Sequence, residues 1–123
     1  MLLPQLATAL RETAEIYNQG ASLKVQVAES PGLPAGRVEL TIDKAGFRFE
    51  DTGQGFVRVL EIGIGPTKEW ARVEPVLDAS GGAVGWREQT LHVQGRSRDR
   101  SLEALTEAYL LGVVRRRLLN RKN

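Results

Sequence analysis

The sequence predicts an α+β domain: an N-terminal helix, an antiparallel meander of five or six strands, and a C-terminal helix, with both helices packed on one face of the sheet. Three observations lead there. Apolar residues recur at three- and four-residue steps near both ends of the chain, they alternate with polar residues at period two through the middle, and turn-rich segments punctuate the alternating stretch. The 123 residues are 41% hydrophobic and 26% charged, a balance typical of globular chains. A chain of this length removes about two-thirds of its unfolded surface from water around one core, so residues 1–123 are expected to form a single domain.

In the first helix Leu3, Leu6, Leu10, Ala14 and Tyr17 form the buried stripe, with Pro4 suited to the first turn and Gly20 to the stop. Leu23, Val25 and Val27 then alternate with Lys24 and Gln26, a strand that runs into the turn-rich residues 30–36. Residues 37–51, RVELTIDKAGFRFED, form the clearest hairpin. Val38, Leu40 and Ile42 precede a turn at residues 43–46, and Phe47 and Phe49 follow it. Aligning the two apolar rows sets Ile42 across from Phe47 and Leu40 from Phe49, which opposes Glu39 and Glu50 on the other face. Residues 56–64 carry apolar side chains on both parities, Phe56, Leu60, Ile62 and Ile64 against Val57 and Val59. A central strand or a surface of self-association would explain this, and Val57 and Val59 are the interface candidates. Residues 67–77 and 84–93 give two more strands joined through 78–83, with Arg72 placed across from Glu88 and Glu74 from Trp86. The last helix starts at Asp99 or Ser101 and presents Leu102, Leu105, Tyr109, Val113 and Arg116 at helical spacing.

Composition and motifs argue against several chemistries. Without cysteine there is no disulfide, thiolate nucleophile or thiolate metal site. The one histidine, His92, has no second histidine with which to share a metal and no evident nucleophile to activate. Asp78 with Ser80 offers too few oxygens for calcium, GxSxG is absent, and the GxG pieces at Gly53, Gly55, Gly63 and Gly65 lack the remainder of a dinucleotide loop. No metal ligand, cofactor or catalytic residue is expected. An acid–base pair would have to come from Glu39, Glu50 and Glu61, if these gather on one sheet face. The first twenty residues lack the basic start of a signal peptide, and no apolar run reaches the length of a membrane span, so a cytoplasmic location is expected.

Charge is unevenly distributed. Residues 1–95 carry nine Lys/Arg and twelve Asp/Glu, whereas residues 96–123 carry eight and three. Arg115, Arg116, Arg117, Arg121 and Lys122 are therefore candidates for phosphate contact, although cations also suit a helix C-terminus for dipole reasons alone. Lys68, Trp70 and Arg72, alternating along one strand, would add charges and a π-face for a single-stranded nucleic acid. Arg96, Arg98 and Arg100 make a second cluster. A helix of this length separates its ends by about 25–30 Å, so the two clusters are expected to form separate patches. The preferred function is a non-enzymatic binding or adaptor module that acts through protein contacts, most simply as a homodimer. A nucleic-acid-binding protein is the alternative, and a small enzyme with a carboxylate-lined cleft the third.

Overall fold

The computed structural model describes residues 2–30, 36–91 and 97–120. Helix α1 (Leu2–Asn18) is followed by β1 (Gln26–Ser30), β2 (Arg37–Ile42), β3 (Ala45–Asp51), β4 (Val57–Ile62), β5 (Lys68–Leu77), β6 (Ala83–Thr90), β7 (Ser97–Arg100) and helix α2 (Leu102–Asn120). The strands form one antiparallel sheet in the order β1-β2-β3-β4-β5-β6-β7. The α+β architecture is as expected, with seven strands rather than five or six. The additional strand is β7, whose sequence SRDR has no apolar residue to mark it.

Side chains on the loops and caps fix where the helices sit. Asn18, at the end of α1, donates from Nδ2 to the carbonyl of Val25 and accepts the amide of Val25 on Oδ1, both at 2.8 Å, and so locks the approach to β1. Ser101 is the N-cap of α2. Its hydroxyl accepts the Ala104 amide at 3.1 Å, satisfying one of the donors that a helix start leaves open. The two helices meet at hydroxyls 3.1 Å apart, those of Thr13 and Thr106.

The hairpin register differs from the expected one by two residues. Leu40 faces Phe47 and Val38 faces Phe49, so Glu39 lies opposite Arg48 and Arg37 opposite Glu50. The expected Glu39–Glu50 repulsion is replaced by opposite charges on neighbouring strands. The cause is the turn, only two residues long, in which Asp43 (φ 51°) and Lys44 (φ 68°) both adopt the left-handed conformation that matches strand twist. The burial of each face survives because a two-residue shift preserves parity.

Two further registers follow from β5. Val59 pairs with Ala71 but Leu60 pairs with Glu69, which leaves Trp70 as the extra residue of a bulge. Between β5 and β6, Val73 faces Glu88 and Pro75 faces Trp86, one residue from the expected pairing. Ala71, Val73 and Trp86 therefore join Val38, Leu40, Phe47, Phe49, Val57 and Val59 in the buried core beneath the helices. The opposite sheet face is charged. Arg48 bridges Glu39 and Glu50, Arg58 also reaches Glu50, and Arg87 pairs with Asp99.

Width determines what the helices leave uncovered. Seven strands at roughly 4.8 Å spacing span about 29 Å, whereas two helices side by side, each about 10 Å across, cover about 20 Å. α1 packs over β1 to β3, and α2 packs over β2 and β3 and touches β6 and β7 more thinly. The helix side of the last strands is consequently open on one flank of α2.

Candidate functional site: a cleft between α2 and the last strands

The uncovered strip forms a cleft of about 500 Å³, with β5–β7 as its floor and α2 as one wall. Its rim and floor include Trp70, Glu88, Arg98, Arg100, Tyr109 and Arg115. Period two puts these strand residues on the helix side: Trp86 pairs with Arg100 and Glu88 with Arg98, so both arginines share the face of the buried Trp86. On α2 the cleft wall is made of the small residues Ala108 and Gly112, with Arg115 one turn further on.

Among the described residues four arginines border this space, in two different states. Arg116 donates from Nε to Glu61 at 2.6 Å and from Nη1 to the carbonyl of Gly112 at 3.1 Å, and its guanidinium lies 4.5 Å from the Phe47 ring centroid and 4.6 Å from that of Trp70. Gly112 permits this, since a Cβ there would stand 3.3 Å from both the Phe47 ring and Arg116 Nη1. Arg100 lies 3.6 Å from Glu88, too far for a regular hydrogen bond, and its buried Nε has no hydrogen-bond partner. Arg98 and Arg115 are exposed on facing sides of the cleft, and among the described residues neither makes an ion pair.

The floor contains a second unfinished donor. Tyr109 is 4% exposed and packs edge-on against Phe47 and Phe49 at 4.9 and 5.2 Å, while its hydroxyl has no regular hydrogen-bond partner among the described residues. Burial, and then the negative charge of Glu88, push the phenol well above its ordinary pKa, so it remains a neutral O–H donor.

The structure separates several residues that the sequence groups together. Successive positions on a helix point about 100° apart, so Arg115 borders the cleft, Arg116 turns into the Phe47–Trp70 cluster, and Arg117 pairs with Asp43 of the β2–β3 turn at 2.8 Å. Arg121, Lys122, Arg96 and His92 lie outside the described residues. Lys68, Trp70 and Arg72 do not share a face. The bulge turns Trp70 to the helix side near Phe47, and Lys68 stands 4.0 Å from Glu61, but Arg72 lies on the far face over Phe56 beside Glu69. Val57 and Val59 are each 0% exposed, inside the protomer and not at a surface. The apolar double parity of this strand reflects a core on one side and the partly covered Leu60 and buried Ile62 on the other. Glu39 and Glu50 sit on the charged outer face, and Glu61 faces the helices, so the three carboxylates do not converge.

Conversely, the structure joins what the sequence separates. Arg98 and Arg100 reach the same cleft as Arg115 because α2 folds back antiparallel to β7, bringing its later turns alongside the strand that precedes it. Glu88, Tyr109, Thr90 and Ser97 are floor and rim residues that sequence reasoning passed over. The available signal was the shared parity of Trp86 with Glu88 and of Arg98 with Arg100. The Asp78–Ser80 pair is a turn: Asp78 Oδ1 accepts the Ser80 and Gly82 amides at 2.9 Å and the Ser80 hydroxyl at 2.6 Å, which lowers the carboxyl pKa. Among the described residues no group of acidic or histidine side chains could hold a metal ion, and no helix is long and apolar enough to cross a membrane. No protein-family model, curated protein or solved structure matches the chain.

Proposed function

We propose that the protein is a non-enzymatic binding module that captures the anionic group of its partner in the cleft between α2 and β7. The observation that carries this reading is the pair Arg98 and Arg115, two exposed guanidiniums that have no ion-pair partner among the described residues and border one space from opposite sides. Cations bordering one space repel each other, and an anion between them relieves that repulsion.

The other readings have less support. Self-association was motivated by Val57 and Val59, which are internal. Nucleic-acid binding by stacking needs an open aromatic face, but the Arg116 guanidinium already lies over Trp70, and Arg116 and Arg117 are engaged with Glu61 and Asp43.

Nuclear magnetic resonance on labelled protein tests the site. Titrated sulfate should shift the backbone amides of residues 97–100 and 108–116 while leaving those around Arg58 and Arg72 on the far face in place. Small, uniform shifts over the whole surface would refute a built anion site.

A further inference from the structure

We infer that the anionic group which fits this cleft is a terminal phosphomonoester of a small ligand, taken as the dianion; the inference rests on the proposed anion capture. Charge count is the first reason. With Arg116 matched to Glu61 and Arg100 to Glu88, Arg98 and Arg115 leave two positive charges unmatched around one space among the described residues. A phosphomonoester carries about −1.5 to −2 at neutral pH, whereas a carboxylate, a sulfate ester or a single phosphodiester carries one negative charge.

Hydrogen-bonding capacity is the second reason. The guanidiniums of Arg98 and Arg115 bring donors only. Among the described residues Glu88 is the sole carboxylate in the lining. Such a surface needs a ligand rich in acceptors at its charged end, and a phosphate dianion offers three terminal oxygens and no proton. Guanidinium forks also match phosphate geometry, two N–H groups to two oxygens.

Size and shape indicate a small molecule. A volume of about 500 Å³ lies within the range of small-molecule sites, and the wall beside the arginines is the narrow pair Ala108 and Gly112. The rest of the ligand would lie against this wall and the rim residues Thr90 and Ser97.

Titration calorimetry of the full chain at neutral pH and low ionic strength decides the matter, using phenyl phosphate, phenyl sulfate, inorganic phosphate and an oligothymidylate without terminal phosphates. Phenyl phosphate should bind about tenfold more tightly than phenyl sulfate, and inorganic phosphate should compete with it. Arg98→Gln and Arg115→Gln should each weaken phenyl phosphate by roughly ten- to hundredfold, while Arg87→Gln on the outer face should leave it unchanged. These arginines are exposed, so the variants should retain the wild-type circular dichroism spectrum. Equal affinity for phenyl phosphate and phenyl sulfate would overturn the dianion inference and leave anion capture standing. Tighter binding of the oligothymidylate would overturn it in favour of nucleic acid, and failure of every anion to bind would remove both proposals.

Discussion

Arg116 and Glu61, fifty-five positions apart in sequence, form a 2.6 Å charge-assisted hydrogen bond beneath the edge of α2, with the guanidinium also against the rings of Phe47 and Trp70. The two side chains are only 17% and 11% exposed, so each depends on the other for compensation of its charge. The pair accounts for one arginine of the RRR run as a structural residue that holds α2 against β4 and β5.

Arg116→Ala should therefore destabilise the fold by roughly 2–3 kcal/mol, somewhat below the cost of breaking a fully buried pair, because among the described residues it leaves Glu61 with the exposed Lys68, 4.0 Å away, as its remaining ion-pair partner. Replacing both members, as in Arg116→Met with Glu61→Leu, should recover most of that loss, since no uncompensated charge remains. Urea unfolding midpoints of the two variants check this, and a double variant no more stable than Arg116→Ala would show that the ring contacts dominate.

Val59 gives a separate test of the interface expectation. Its side chain is fully buried against the helices, so Val59→Ala should cost about 2 kcal/mol of stability through lost contacts and a residual cavity, without any change in the mass read by light scattering during gel filtration. A change in assembly state at unchanged stability would place the residue at a surface of contact with a second chain.

Alkaline pH should expose the burial of Tyr109. Its folded-state pKa is raised by desolvation and by Glu88, so the folded chain holds the phenolic proton at a pH where the unfolded chain has lost it. The contribution is complete below the unfolded value of about 10 and is lost as pH rises toward the folded value, with a limiting slope of about 1.4 kcal/mol per pH unit from this group. The stability curve of the wild type should thus run parallel to that of Tyr109→Phe below pH 9 and fall more steeply than it above 10. Parallel curves throughout would contradict the assignment.

Face assignments were legible in the sequence because parity and helical spacing depend only on local geometry. The stripe from Leu3 to Ala14 and the rows containing Val38, Leu40, Phe47 and Phe49 are buried as their spacing indicates. Registers were less legible. The β2–β3 turn uses Asp43 and Lys44 in a conformation usually marked by glycine or asparagine, so no residue type identified it as a two-residue turn. The bulge at Trp70 breaks the alternation that placed Lys68, Trp70 and Arg72 together, and a one-residue insertion leaves no mark in composition. The cleft itself was out of reach. It depends on the mismatch between sheet width and helix coverage and on the antiparallel return of α2 beside β7, both global properties. Only Arg98 and Arg100, already noted as a basic cluster, and Arg115 pointed toward it.

The meander has a kinetic meaning as well. Each strand pairs only with its immediate sequence neighbours, so the sheet can assemble by successive short loop closures of small entropic cost. The meeting of Thr13 and Thr106, 93 positions apart, requires a much longer closure, and it docks the helix that forms one wall of the cleft. The proposed anion site would be completed only when that docking occurs. A ligand bridging Arg98 and Arg115 would therefore tie the final helix to the final strand and retard the opening of the protein from that end.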